Sequence, residues 1–283
     1  MKQAVILTVI GASAATTQLG AQTTIADWDF DLIGAQAAPY NTPSATIGSG
    51  SATQLGMNNN YTFNNNEGPG SIAWCDVLAS AGASTGNGSY GWRIRGPSNA
   101  GGGGAGQSNG WNSQAPVATQ GAEFSVDTSL YSSITLSVDI NTTAQAERNL
   151  AILYTLDDTV ANPVWLNATI TSAGNLGTTL NNSSSSSTIS GNYVQLGSGW
   201  NNLITASFSG VSQDANFAVE IVNASTGSDC VNVSGAALNN SSGNWRYDNV
   251  KISGTLVAAP EPGTVALVGC GLAALIAMRR RQI

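Results

Sequence analysis

Histidine is absent from all 283 residues, and that removes whole classes of chemistry. Without an imidazole there is no Ser-His-Asp or Cys-His nucleophile system, and no zinc site with histidine ligands. Three cysteines are too few for an all-cysteine zinc site. Charge is scarce as well, with Asp, Glu, Lys and Arg making up only 9% of the chain. Residues 22–258 hold fifteen acids against five bases (Arg93, Arg95, Arg148, Arg246 and Lys251), a net charge of −10. Such a body repels nucleic acid and anionic membrane surfaces, so neither is expected as its partner. Glycines 101–104 lack the flanking strand, helix and lysine of a phosphate cradle and read as a loop. Long helical periodicity is missing throughout residues 22–258.

What is present begins at the two ends. Lys2 precedes the apolar run 4–10, and small residues follow. This order predicts a signal peptide over residues 1–21. Cleavage is expected after Ala21, with Ala12-Ser13-Ala14 as the competing site. A buried first strand is the structural alternative, and the run is too short to span a bilayer, which takes about 20 apolar residues. At the other end, Pro260-Glu261-Pro262 leads into residues 263–278, which carry no charge, and then Arg279-Arg280-Arg281. Sixteen helical residues reach about 24 Å, a little short of a hydrocarbon core of about 30 Å. Snorkelling arginines can close part of the gap. The reading is a single transmembrane helix, with the arginines cytoplasmic and the body outside.

The order Pro260-Glu261-Pro262, short Gly/Ala/Leu span, terminal arginine cluster resembles the PEP-CTERM sorting signal, over residues 259–283. The resemblance implies recognition by an exosortase, a membrane-embedded transpeptidase-like protease of Gram-negative bacteria that make extracellular polysaccharide. Cys270 departs from the small and apolar residues expected in the span, where a lone cysteine acts as a small hydrophobe. The implied route runs through an inner-membrane-anchored intermediate to the cell surface or extracellular matrix.

Between the ends, period-two alternation recurs. Ala26, Trp28 and Phe30 alternate with Asp27, Asp29 and Asp31. Similar runs start at Tyr90, Ala122, Ile134, Leu150, Val164, Trp200, Phe217 and Trp245. Each run presents one apolar face, so two sheets must pack face to face. The expectation is one all-β domain over residues 22–258, a β-sandwich of jelly-roll type, with polar low-complexity loops at 58–60, 64–66, 98–109 and 181–187. Trp111, the hairpin 134–156, Gly199-Trp200-Asn201, Phe208, the strand 217–222 and the closing Trp245-Arg246-Tyr247-Asp248-Asn249-Val250 resemble jelly-roll domains of secreted bacterial proteins, in which a final Asp-Asn-Val strand is common.

Candidate sites in this body are sparse. A glycosidase needs two carboxylates at a set separation, and Glu67, Glu123, Glu147 and Glu220 are not grouped by the sequence. Glu123 and Glu220 read as solvated acids on outward strand positions. Carbohydrate binding is the stronger rival to a purely structural or adhesive role, because Trp111-Asn112, Trp165-Leu166-Asn167 and Trp200-Asn201-Asn202 join aromatic faces to amides; each tryptophan could equally fill the core. If the first and last strands are neighbours, Asp29, with Asp27 or Asp31, can meet Asp248 around a structural Ca²⁺; backbone hydrogen bonding is the simpler role for such aspartates. No other cofactor is expected. Cys75 and Cys230 can form a disulfide in an exported body, or remain two buried thiols.

Overall fold

The computed structural model describes residues 21–30, 43–57, 92–95, 111–174, 187–238 and 243–257. The expected loops at 58–60, 64–66 and 98–109, most of that at 181–187, and both terminal segments lie outside these residues. Among the described residues no helix is long and apolar enough to cross a membrane.

Fourteen strands make two seven-stranded antiparallel sheets. The first contains β1 (Gln22–Trp28), β2 (Ile47–Gly48), β4 (Trp92–Arg95), β6 (Tyr131–Thr142), β9 (Thr169–Ala173), β12 (Gly199–Ser207) and β14 (Asn244–Leu256). Its order is β2-β1-β14-β6-β12-β9, with β4 also on β14. The second contains β3 (Gly50–Leu55), β5 (Gly121–Val126), β7 (Asn149–Thr155), β8 (Leu166–Asn167), β10 (Thr188–Ser190), β11 (Tyr193–Gln195) and β13 (Phe217–Asn223). Its order is β10-β11-β7-β13-β5-β3, with β8 on β7. The first and last strands are neighbours, as expected, with Gln22 opposite Thr255 and Trp28 opposite Val250. Gly48 turns the chain from one sheet to the other with φ +76°, and a Cβ there would strike the Ile25 carbonyl, so only glycine fits.

Alternation converts directly into packing. Ile134, Leu136, Val138 and Ile140 of β6 point inward, as do Phe217, Val219 and Ile221 of β13. Large aromatics lock the two layers together. Trp28 meets Phe124 edge-on at 5.1 Å between centroids, and Trp111 lies 4.3 Å from Trp245. Tyr154, Phe208 and Phe217 form a second cluster. Three of the buried aromatics pair their polar atoms, while Trp92 Nε1 and Trp111 Nε1 have no hydrogen-bond partner among the described residues. Trp28 Nε1 donates to the Pro43 carbonyl, Trp245 Nε1 to the Glu147 carbonyl, and the Tyr247 hydroxyl to the Ile221 carbonyl of the facing sheet. Desolvation pushes the Tyr247 phenol well above its ordinary pKa. One expected strand differs. The run from Val164 to Ile170 splits into β8 and β9, which join different sheets, and Val164 and Leu166 are exposed rather than inward.

This packing predicts two unequal substitutions. Trp245→Ala should cost about 3–5 kcal/mol by leaving a cavity, whereas Tyr247→Phe should cost about 1 kcal/mol by removing one hydrogen bond. Urea titration of both variants measures the difference; equal losses would show that the Trp245 ring is not the inter-sheet wedge described.

Candidate functional sites

The Asp-Asn-Val end of the closing motif builds a buried polar cluster on the outer face of the first sheet. β14 bulges between Asp248 and Lys251, with Asn249 at φ +48°, a conformation that asparagine tolerates better than most residues. β12 bulges between Asn201 and Ile204, with Leu203 at φ +54°. Between them, β6 presents Asp139. Leu203 N donates to Asp139 Oδ1 at 2.6 Å, and Asn249 Nδ2 donates to Asp139 Oδ2 at 3.0 Å. Asn249 N also donates to Asp248 Oδ1 at 2.8 Å. Asp139 and Asp248 are cross-strand neighbours and both are buried. Charged groups buried in this way must be hydrogen-bonded to be tolerated. The next row of the ladder brings Arg246 beside Asn141 and Asn141 beside Trp200, with Arg246 Nη1 donating to Asn141 Oδ1 at 3.3 Å.

The Asp29–Asp248 proposal for Ca²⁺ meets a different arrangement. Asp27 forms an ion pair with Lys251 at 2.9 Å, and the Thr46 hydroxyl donates to Asp29 Oδ1 at 2.6 Å. Asp248 lies across the ladder from Asp139. Asp31 lies outside the described residues. Among the described residues no group of three or more His, Cys, Asp or Glu is placed to hold a metal ion.

The three Trp-Asn pairs separate. Trp111 is wholly inside the core. Trp200 is buried too, but it belongs to the outward row with Asn141 and Arg246 and stands apart from the core cluster. Trp165 is partly exposed beside the exposed Asn167. Sequence reasoning missed the Asp139 clamp, because nothing local in Asp139 or Leu203 announces that two distant bulges converge on one carboxylate.

Glu123 and Glu220 also depart from expectation, since they are neither separate nor both solvated. They face each other across β5 and β13, and Glu220 is only 7% exposed. None of the seven strands of this sheet contains a lysine or arginine. Burial, and then repulsion from Glu123, pushes the Glu220 carboxyl up to about 7. Burial and the charge of Asp158 raise Glu123 as well. Glu67 lies outside the described residues.

Glu147 is buried elsewhere, two residues before β7. Its Oε1 accepts from the Ser225 hydroxyl at 2.6 Å and from Asn149 N at 3.1 Å, and its Oε2 accepts from the Cys230 thiol. Burial raises Glu147, and burial beside that carboxylate pushes the Cys230 thiol up to about 12. Cys230 is thus a free, buried thiol held as a hydrogen-bond donor, while Cys75 lies outside the described residues.

The Glu220 environment gives a pH prediction. The folded carboxyl keeps its proton up to about pH 7, whereas in the unfolded chain it ionises near pH 4.3. The native state therefore binds more protons between these values, and stability falls as pH rises through that window. Glu220→Gln should flatten this slope and stabilise the protein at pH 8 on the order of 1–3 kcal/mol. Denaturant titrations at pH 4.5 and 8 decide it; parallel pH profiles for parent and variant would contradict the paired environment.

The remaining sequence-predicted residues, Pro260, Glu261, Pro262 and Arg279–Arg281, lie outside the described residues, beyond Val257. A family comparison matches residues 258–281 to the PEP-CTERM protein-sorting motif. No curated protein and no solved structure matches the chain. β14 is thus followed closely in sequence by a recognised signal: the chain carries a PEP-CTERM sorting motif, which implies export, sorting to the cell surface and processing by an exosortase.

Proposed function

We propose that this is a non-catalytic surface or extracellular-matrix protein, structural or adhesive, whose body is a jelly-roll-type sandwich delivered through its tail. The observation that carries the reading is the sorting motif at 258–281, set immediately after the strand that completes the body. The strand order supports the jelly roll: β1-β14-β6-β12 form one layer and β5-β13-β7-β11 the other, and successive main strands alternate between the layers except β7 and β11, which pair within one. The lack of histidine and the burial of Glu220 favour a non-catalytic role, since a substrate must reach between two carboxylates for glycoside hydrolysis. This reading assigns no cofactor to the body.

The tail works by geometry. Residues 1–21 direct export and are removed. Residues 263–278 then hold the chain in the inner membrane, with Arg279–Arg281 cytoplasmic. Pro260 and Pro262 fix their own φ and bias the residues before them to extended conformations, so residues 259–262 present a strip at the outer membrane face. Glu261 is its only charge and serves as the recognition handle for the exosortase. Mass spectrometry of the released protein should show residues 265–283 missing. Glu261→Ala and an exosortase-deletion strain should both retain the tail and the membrane location. A wild-type protein that keeps its arginine tail in the inner membrane would replace this reading with a plain tail anchor.

A second reading, a binding module for extracellular polysaccharide, is favoured by one observation. Of the three Trp-Asn pairs, Trp165 is partly exposed and lies two residues from the exposed Asn167. Vicinal sugar hydroxyls match such an amide next to an indole. A glycan array separates the two readings, because only the second gives signals that Trp165→Ala or Asn167→Ala lowers.

A further inference from the structure

We propose that the end of the sandwich from which β14 departs rests, through Leu130, Leu256 and Val257, on the lipid surface of the membrane while the chain is still anchored. The inference rests on the reading of residues 263–278 as a membrane span and adds how the body sits on it.

Four observations meet at this end. First, both chain termini leave the body there. Gln22 pairs with Thr255 across β1 and β14, so the points at which the described chain enters and leaves the body lie side by side. The attachment points of two sequence segments that contain apolar runs, 1–21 and 258–283, thus share one end of the body. Second, the tether is short. From Val257 to Gly263 there are six Cα steps, at most about 20 Å when fully extended, and two of the residues crossed are prolines. The headgroup layer on each side takes up roughly 5–8 Å. A sandwich tied that closely to a span has this end facing the bilayer.

Third, this end carries large apolar side chains exposed to water. Leu130 is 64% exposed, Leu256 54% and Val257 39%. They are adjacent: Leu256 is the ladder partner of Tyr131, and Val257 N donates to the Leu130 carbonyl at 2.9 Å. Exposed leucines scattered singly need no explanation; three together at the point of membrane attachment do. Fourth, charge does not supply the contact. Asp127 and Asp214 lie in the adjoining loops, where Ser129 N and Ser212 N donate to them, and among the described residues of the 127–130 and 208–216 loops there is no lysine or arginine. Attraction to the bilayer is therefore apolar burial in the interfacial layer, and a zwitterionic surface suits it better than an anionic one. The contact ends when the tail is cut, since three side chains without an anchor give only weak, reversible adsorption.

The test uses the full chain with Cys75→Ser and Cys270→Ala, reconstituted into phosphatidylcholine vesicles containing lipids spin-labelled near the headgroup. A nitrobenzoxadiazole label is placed at Leu130→Cys or Val257→Cys. The control label is at Val117→Cys, also exposed but at the opposite end, where Ala118 N bonds the last residue of β13. Cys230 is buried and does not compete for label. The expected result is flotation with the vesicles after an alkaline wash, a blue-shifted emission at positions 130 and 257, and quenching there at least about twofold stronger than at 117. A chain that floats but quenches equally at all three positions overturns the apposition and leaves the anchoring intact. A chain washed off the vesicles overturns the anchoring, and the apposition with it.

Discussion

The insertion of β14 between β1 and β6 is the constraint on which the rest of this structure depends. It is the longest strand described, Asn244–Leu256, and it supplies Trp245, Tyr247, Val250 and Ile252 to the core. It can hold register against β6 only if the ladder absorbs a bulge beside two buried carboxylates. Asn249 does this by adopting a left-handed conformation and donating to both Asp139 and Asp248. From the other side, Leu203 closes the second oxygen of Asp139 with its own bulge. A chain emerging from the ribosome or the translocon therefore cannot complete this sheet until residues near its C-terminus are present, and the sorting motif begins just after the last of them.

The two sheets handle scarce charge differently. The sheet containing β14 carries four basic residues, Arg93, Arg95, Arg246 and Lys251, and the last two lie near an amide and an acid that answer them. The other sheet has no base in any strand, so its one facing pair of acids, Glu123 and Glu220, has no cation to offset it, and burial and repulsion favour the protonated form of Glu220. Low charge density in the sequence thus conceals a few places where electrostatics is strong because water is excluded.

Much of the fold was legible from periodicity. The runs at 122–126, 134–140, 150–154, 217–221 and 245–252 became β5, β6, β7, β13 and β14 because each alternation is local and long enough to declare a face. Val164 and Leu166 misled because two short strands joined to different sheets can mimic one longer run. Glu123 and Glu220 were unreadable as a pair, since register between strands far apart in sequence leaves no trace in either strand. Trp200 was ambiguous for the same reason: a bulge two residues later resets the face that simple counting assigns. The sorting motif was legible in full, because it is contiguous and its parts work through composition and order rather than tertiary contact.

If β14 is the keystone and the tail only an address, cutting the chain on either side of β14 must give opposite results. Calorimetry of the body ending at Val257, compared with the body ending at Gly243, measures this directly. The account predicts one cooperative melting transition for the longer chain, unaffected by loss of the tail, and none for the shorter. A longer chain that fails to melt cooperatively, or a shorter one that still does, would contradict it.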